Sequence, residues 1–264
     1  MELRAVDVDG RRVPYRVTGE GEPLVLVHGL AGSWRWWSPL FQDLAARRRV
    51  HVVDLPRLQG AVRADELSTW LCRWLDAAGL ERVDLAGHSL GGLVVAEVAA
   101  RCGTRARRLV LVAPAGIPCR RSLPGRTLPL LGALYHIRTR LPMVAADALR
   151  TGPLAVAHGI AYVSRRDLRE ELSTVRAPTL LVWGERDHLV PARIAEEWLR
   201  LLPDARLVPL RCGHVPMLEE PQELAARMLA FLCEELADDA GDQLRTRVVD
   251  GVGLARNDDE PAVR

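Results

Sequence analysis

Lysine is absent from this sequence, and all 36 of its basic residues are arginine. Arginine is well suited to binding phosphate groups, but here the arginines are distributed along the chain among 34 acidic residues and form no single basic stripe. Such a composition is typical of codon bias in a GC-rich genome. We see no nucleic-acid-binding module and expect no nucleic-acid partner.

Long hydrophobic runs are also absent, since no apolar stretch approaches the roughly 20 residues that a membrane helix requires. The opening residues, MELRAVDVDG, alternate acidic and apolar side chains and lack the basic-then-apolar order of a signal peptide. We therefore predict a cytoplasmic protein with no integral membrane segment.

Cysteine is sparse, and its five copies form no CxxC pair. Neither a zinc site nor a disulfide framework is indicated. We expect ordinary reduced thiols at Cys72, Cys102, Cys119, Cys212 and Cys233.

The 264 residues, of which 48% are hydrophobic, suit a globular protein with a full-sized core. The segment LRAVDVDGRRVPYRV predicts two strands joined by a two-residue turn at Asp9-Gly10. Continuous apolar strands, typical of burial on both faces, then alternate with helices. This order predicts an α/β fold with a mostly parallel eight-stranded sheet and helices on both faces. Sites in such sheets lie outside the carboxyl ends of the strands.

One long segment interrupts this alternation of strands and helices. Residues 117–175 contain helix-like pieces without a buried-strand pattern, and the segment is too long for an ordinary loop. We predict that it forms a small helical cap, inserted in an α/β core made of residues 1–116 and 176–237. The polar residues 238–264 predict a flexible tail.

The stretch RVDLAGHSLGGLVVAEVAA places Ser89 between glycines, at the point where a predicted strand becomes a helix. A serine hydroxyl becomes a nucleophile when it is exposed and a base takes its proton. A sharp strand-to-helix turn exposes the hydroxyl, and Gly87 and Gly91 permit the crowded backbone of such a turn. The letters GHSLG match the nucleophile-elbow pattern in the context that the pattern requires. We predict Ser89 as the nucleophile, the alternative being a serine that caps a helix.

A general base is expected later in the chain than Ser89. The candidates are His136, His158, His188 and His214. His214 follows the last predicted strand and so lies at a carboxyl end, which makes it the predicted base. Asp187 follows the strand TLLVW after a short turn and is predicted to orient the imidazole, with Glu185 as its rival. His188 is adjacent to Asp187 and is therefore poorly placed to receive its carboxylate.

An oxyanion hole requires two hydrogen-bond donors. The backbone N–H of Leu90, directly after the nucleophile, is one, and the N–H of Leu30 in the loop after the strand LVLV is the other. His28 and Gly29 let this loop turn close to a substrate, so we predict that they contribute to substrate binding. Trp34 is predicted to line an apolar pocket, with packing at the start of a helix as the alternative.

The motifs LVHGLAG, GHSLGG, PTLLVWGERDHLVP and CGHVPMLEEP occur in the order found in the α/β-hydrolase superfamily, which the chain resembles over residues 19–236. The resemblance is to small single-domain members, among them esterases, carbon–carbon bond hydrolases and cofactor-free haloperoxidase-like enzymes. It implies an α/β-hydrolase fold with Ser89, Asp187 and His214 as the catalytic triad and Leu30 and Leu90 as oxyanion donors. The letters RLQG at 57–60 depart from the family's usual continuation after VVDLP.

The predicted activity is a serine hydrolase that cleaves an ester, thioester or related acyl bond of a small, largely apolar substrate. One alternative is hydrolysis of a carbon–carbon bond in a dienoic or β-diketone acid, and another is a non-catalytic ligand-binding protein on the same fold. No metal or organic cofactor is implied, and the sequence indicates no oligomeric state. Apolar cap positions, including Leu134 and Met143, are predicted to face the pocket and bind substrate. The cap's many arginines fit either solvated helix faces or recognition of an anionic ligand or membrane surface.

Overall fold

A computed structural model describes residues 1–56, 66–118 and 140–234 of the protein. The strands are β1 (Glu2–Val8), β2 (Arg11–Thr18), β3 (Pro23–Val27), β4 (Arg49–Val53), β5 (Val83–His88), β6 (Ala106–Val112), β7 (Thr179–Gly184) and β8 (Ala205–Leu210). The helices are α1 (Phe41–Ala45), α2 (Leu67–Ala77), α3 (Leu90–Arg101), α4 (Leu141–Thr151), α5 (Pro153–Arg165), α6 (Arg169–Leu172), α7 (Ala192–Leu201), α8 (Pro216–Glu219) and α9 (Pro221–Leu232), with 3-10 turns at Trp34–Trp36 and Ser38–Leu40.

The eight strands form one sheet in the order β1-β2-β4-β3-β5-β6-β7-β8. Strand β2 pairs antiparallel with both β1 and β4, and every other pair of neighbouring strands is parallel. The turn between β1 and β2 has positive φ at Asp9 (54°) and Gly10 (74°), as a type I′ hairpin requires. The predicted eight-stranded, mostly parallel sheet is confirmed.

Both faces of the sheet are covered, which explains why its central strands are continuously apolar. Val25 and Val27 of β3 pack into a core cluster with α2, α3 and α7, whereas Leu24 and Leu26 pack into a second cluster with α1 and α9. All four side chains are fully buried. The predicted helices on both faces are therefore confirmed.

The spacing of apolar residues in helix α2 determines which of its faces packs against the core. Its apolar residues recur three and four positions apart and therefore lie on one face. The buried members of this stripe are Leu67, Trp70, Leu71, Trp74 and Leu75. The helix ends before Gly79, whose φ of +67° provides the left-handed conformation common just beyond a helix.

Helices α4, α5 and α6 lie between β6 and β7, within the segment predicted as a cap. Arg166, which follows α5, pairs with Glu97 of α3 and with Glu171, both at 2.6 Å, and Arg169 pairs with Glu197 of α7 at 2.6 Å. These two arginines thus join the segment to the core. The bounds of the cap stay a prediction, and residues 119–139, the predicted tail at 238–264 and the departure at 57–60 lie outside the described residues.

Within the described ranges, no helix combines the length and the apolar character needed to cross a membrane.

Candidate active site

The turn at Ser89 joins the end of β5 to the start of α3 with a strained backbone. Ser89 has φ 51° and ψ −114°, outside the regions that non-glycine residues ordinarily adopt. Three backbone hydrogen bonds hold it: its N–H donates to Val112, and its carbonyl accepts from Leu93 and Ala115, all at 3.0 Å. Such strain persists where the surroundings over-determine the conformation, and it is concentrated at functional sites.

The glycines around Ser89 leave room for neighbouring backbone. A Cβ atom at Gly87 would overlap the carbonyl of Gly91, and a Cβ at Gly91 would overlap the carbonyl of Val27 in β3. A Cβ at Gly92 would lie 2.8 Å from Pro114 Cβ. The tight turn therefore excludes any side chain at these positions, which is the physical reason for the GHSLGG pattern.

Asp187 and His214 meet through a hydrogen bond of 2.7 Å between Asp187 Oδ2 and His214 Nδ1. The other carboxylate oxygen, Oδ1, accepts from the backbone N–H groups of Leu189 and Val190, both at 2.8 Å. Asp187 and His214 are only 5% and 6% exposed. These hydrogen bonds fix the carboxylate and direct Nδ1 of the imidazole toward it, so that Nε2 is the nitrogen left for proton transfer.

Backbone contacts hold the loops after β7 and β8 close together, so that Asp187 and His214 come within hydrogen-bonding distance. A Cβ at Gly184 would overlap the carbonyl of Gly213, so glycine is needed where the loops touch. The N–H of Glu185 donates to Leu210 at 2.8 Å, and the N–H of Arg186 donates to Cys212 at 2.9 Å. These backbone bonds continue the pairing of the two strands beyond their ends.

The predicted oxyanion donors lie at the start of helix α3 and in the loop after β3. Leu90 is the first residue of α3, and the N–H groups of a helix's first turn have no partner within the helix. Leu30 belongs to a turn closed by a hydrogen bond of 3.0 Å from the N–H of Gly32 to the carbonyl of Gly29. Ala31 in this turn has φ 58°.

His28 supports the loop at residues 28–32, called the oxyanion loop here because it contains the predicted donor Leu30, with both ring nitrogens. Nε2 accepts a hydrogen bond of 3.0 Å from the N–H of Leu55, so the ring proton is on Nδ1, which donates to the carbonyl of Gly29 at 2.8 Å. The ring therefore ties the loop after β3 to the loop after β4.

A cavity of about 210 Å³ opens beside the oxyanion loop. Its wall combines residues that follow β3 and β4 with residues from α2, α3, α4 and α5. The lining residues are His28, Gly29, Leu30, Ala31, Gly32, Ser33, Asp54, Leu55, Pro56, Leu67, Leu90, Asp147, Arg150, Thr151 and Ala155. The predicted substrate-binding residues His28 and Gly29 are thus part of the wall.

Trp34 and Met143 are not among the residues that line this cavity. The Trp34 ring stacks on Phe41 with a centroid distance of 6.3 Å, and the Arg16 guanidinium lies 3.9 Å from its centre. Met143 packs against the core cluster on the α1 and α9 face. Both placements favour packing over substrate contact. Leu134 lies outside the described residues.

Sequence reasoning missed Asp147, a buried carboxylate in α4 that is 1% exposed. It accepts hydrogen bonds from Ser33 Oγ at 2.8 Å and from Trp36 Nε1 at 3.2 Å, and it pairs with Arg35. All three donors follow the oxyanion loop, so Asp147 joins helix α4 to that loop. An aspartate on a short amphipathic helix gives no local signal of a partner more than 100 residues away.

The described part of the chain contains no group of three or more His, Cys, Asp or Glu side chains that could hold a metal ion.

Comparisons with known proteins agree on the family to which this chain is similar. A model described as the alpha/beta hydrolase family matches residues 24–227. The chain is 32% identical over 261 residues to the dihydrolipoyllysine-residue acetyltransferase component of the acetoin cleaving system of Pseudomonas putida, covering 86% of this chain and 68% of that protein. It is 30% identical over 249 residues to the pimeloyl-(acyl-carrier protein) methyl ester esterase of Nitrosomonas europaea, covering 81% and 97%. A solved bacterial membrane phospholipase A has a TM-score of 0.75 at 28% identity, covering 88% of this chain and 85% of that one.

Proposed function

Because this chain belongs to the alpha/beta hydrolase family, we propose that it is a serine hydrolase that cleaves an ester or thioester of a small, largely apolar substrate. Hydrolase activity itself follows from the family and its hydrolytic members. The observation that carries the finer proposal is the 2.7 Å hydrogen bond between Asp187 and His214. The strained backbone of Ser89, which has the geometry of a nucleophile elbow, is a second observation that supports it.

In the proposed reaction, Ser89 Oγ attacks the substrate carbonyl carbon while His214 Nε2 takes the hydroxyl proton. Asp187 holds the imidazole and stabilises its cationic form through the bond to Nδ1. The backbone N–H groups of Leu30 and Leu90 donate to the oxygen on which negative charge develops. The leaving alcohol or thiol receives the proton from His214, and an acyl-enzyme on Ser89 remains.

Water completes the proposed cycle. His214 takes a proton from water, the resulting hydroxide attacks the acyl carbon, and collapse of the second tetrahedral intermediate returns the proton to Ser89. Atoms and charges balance without a cofactor. The acid product leaves and the free serine is restored.

Two of the related proteins support an ester bond in preference to a carbon–carbon bond. One is named as a methyl ester esterase and the other as a phospholipase A. The cavity beside the oxyanion loop supports a small acyl or alkyl group, because Leu30, Leu67 and Leu90 contribute apolar surface to its wall.

A fluorophosphonate probe tests the nucleophile. The wild-type protein should take up one probe molecule, mapped to Ser89 by peptide mass analysis. Ser89→Ala should remain unlabelled, whereas Ser173→Ala, which removes an exposed hydroxyl, should label like the wild type. A folded wild-type protein that fails to react would contradict the proposal.

A substrate panel tests the bond that is cleaved. Activated esters, thioesters and ring-cleavage acids would be compared with Ser89→Ala as the blank. We expect turnover of the esters or thioesters; turnover of ring-cleavage acids alone would instead identify a carbon–carbon bond hydrolase.

A further inference from the structure

The backbone around His214 is held by two side chains that have no place in the proposed triad. The first is His88, which directly precedes the proposed nucleophile and whose Nε2 lies 2.9 Å from the carbonyl oxygen of His214. A carbonyl oxygen only accepts hydrogen bonds, so the His88 ring proton is on Nε2 and Nδ1 is unprotonated.

His88 is placed to serve as a neutral donor. It is 2% exposed, and its ring centroid lies 4.9 Å from that of His214 and 5.9 Å from that of Trp36. Burial, and then the neighbouring His214, hold the pKa of His88 well below its usual value. A ring that stays neutral does not oppose the positive charge that His214 acquires during the proposed reaction.

Packing alone does not account for a histidine at this position. Nδ1 of His88 is buried without a hydrogen-bond partner among the described residues, which is unfavourable. A Cβ at Gly29 would lie 2.7 Å from that nitrogen, so the oxyanion loop leaves space for the ring only because residue 29 is glycine. An apolar side chain would fill the same space without an unpaired nitrogen, and the hydrogen bond from Nε2 is what such a residue would lack.

The second side chain is Glu219, at the end of α8. Its carboxylate accepts from the N–H of Gly213 at 2.7 Å and from the N–H of Val215 at 3.0 Å. Val215 precedes the first residue of α8, where backbone N–H groups have no partner within the helix. One carboxylate thus binds the peptide groups on both sides of His214.

We propose that His88 and Glu219 are positioning residues that hold the His214 backbone between them, so that its imidazole meets Asp187 and faces Ser89. Glu219 binds the two flanking N–H groups, and His88 binds the carbonyl of His214 itself. Because His88 directly precedes Ser89 in the chain, it also couples the position of the proposed base, His214, to that of the proposed nucleophile, Ser89. This inference rests on the proposed function of the triad.

Four variants and a control test the two residues. His88→Leu and Glu219→Ala remove the hydrogen bonds, whereas His88→Gln and Glu219→Gln keep a donor or an acceptor of similar reach. Glu220→Gln, an exposed neighbour, is the matched control. We expect His88→Leu and Glu219→Ala each to lower kcat at least tenfold with KM changed less than threefold. The two Gln variants should recover most of the loss, and Glu220→Gln should match the wild type.

Rates are normalised to the fraction of protein that a fluorophosphonate labels at completion, and melting temperatures are recorded for every variant. Wild-type kcat in His88→Leu and Glu219→Ala, or equal losses in the Leu and Gln variants of His88, would overturn the inference. If His88→Leu fails to fold, His88→Asn replaces it, since asparagine is polar but too short to reach the His214 carbonyl. A wild-type protein that is not labelled at Ser89 would instead mean that the proposed function is wrong.

Discussion

The side chain of Leu30 occupies the space that a Cβ atom at Gly159 would need. A Cβ at Gly159 would overlap Leu30 Cδ1 and lie 3.1 Å from Cδ2 and 3.2 Å from Cγ. Leu30 belongs to the oxyanion loop after β3, and Gly159 is a buried residue in the middle of α5. Helix α5 therefore rests directly on the loop that carries a proposed oxyanion donor.

Gly159→Ala should displace Leu30 and with it the proposed donor. Because Cδ1, Cδ2 and Cγ of Leu30 all lie within 3.2 Å of the added methyl group, either the whole leucine side chain must change rotamer or the backbone of residue 30 must shift, and the prediction is that the backbone shifts. We expect kcat/KM for an activated ester to fall by about tenfold, equivalent to roughly 1.4 kcal/mol of lost transition-state stabilisation. Gly103→Ala, where the added atom would meet its nearest neighbour at 3.6 Å, is the control and should retain activity. Equal activity in the two variants would show that Leu30 adjusts without consequence.

Asp187→Asn should lower kcat by orders of magnitude, on the order of 10⁴ by analogy with Ser-His-Asp proteases. The amide would no longer stabilise the imidazolium and would favour the wrong tautomer of His214. Glu185→Gln should have a much smaller effect, since the carboxylate that accepts the hydrogen bond from His214 Nδ1 belongs to Asp187. Steady-state kinetics on both variants decides the assignment, and the reverse ranking would refute it.

Asp147→Ala should destabilise the contact between α4 and the segment after the oxyanion loop. The change leaves Arg35, Ser33 and Trp36 without their shared acceptor. Loss of one partner of a largely buried pair lowers the free energy of unfolding by about 3 kcal/mol. Denaturant titration measures this, with Asp167→Ala as the control because its pair with Arg169 is exposed and should contribute below about 1 kcal/mol. A loss no larger than that of the control would mean that the buried cluster adds nothing to stability.

Cavity residues, and not Met143, should set the preference for acyl chain length. Ala155 is fully buried and lines the cavity, so Ala155→Val should narrow it and reduce kcat/KM for longer acyl chains relative to shorter ones. Met143→Ala should lower the melting temperature and leave the chain-length profile unchanged, because Met143 packs on the core. A changed profile in Met143→Ala, with an unchanged melting temperature, would support the substrate-binding role that the sequence predicts for Met143.

His51 should make the protein sensitive to acid. It is 4% exposed, neither ring nitrogen has a partner among the described residues, and burial followed by Arg49 and Arg4 lowers its pKa from 6.5 to about 4. Between these values the unfolded chain binds a proton that the folded protein does not. Stability is therefore full above pH 6.5 and falls as the pH drops toward 4, by about 3 kcal/mol in total.

Unfolding in urea at pH 7.5 and pH 5 measures this effect. His51→Phe, which keeps a ring beside Tyr15, should reduce the difference between the two conditions by about 2 kcal/mol. The exposed His158 provides the control, since His158→Gln should leave the difference unchanged. An acid response in His51→Phe equal to that of the wild type would assign the sensitivity to other groups.

Local patterns in the sequence were sufficient to predict the helices and strands and the sharp turn at Ser89. The period of α2, the continuous apolar run of β3 and the Asp9-Gly10 turn each depend on residues close together in the chain, so their structure follows from short-range rules. The alternation of strands and helices was sufficient for the mostly parallel sheet. Because the carboxyl ends of parallel strands share one edge, that order also predicted that the loops holding Ser89, Asp187 and His214 lie on one side.

Which side chains meet across those loops depended on the tertiary structure. Trp34 and Met143 have the apolar character of pocket residues, yet in the structure both pack, partly buried, against the core cluster that contains Leu24 and Leu26. Asp147 binds Ser33 across 114 positions of sequence, and Gly159 leaves space for Leu30 across a similar separation. Composition and periodicity specify which face of a helix is apolar. The exact position of that helix against its neighbours depends on the close packing of the whole core. This position determines which polar groups come within hydrogen-bonding distance.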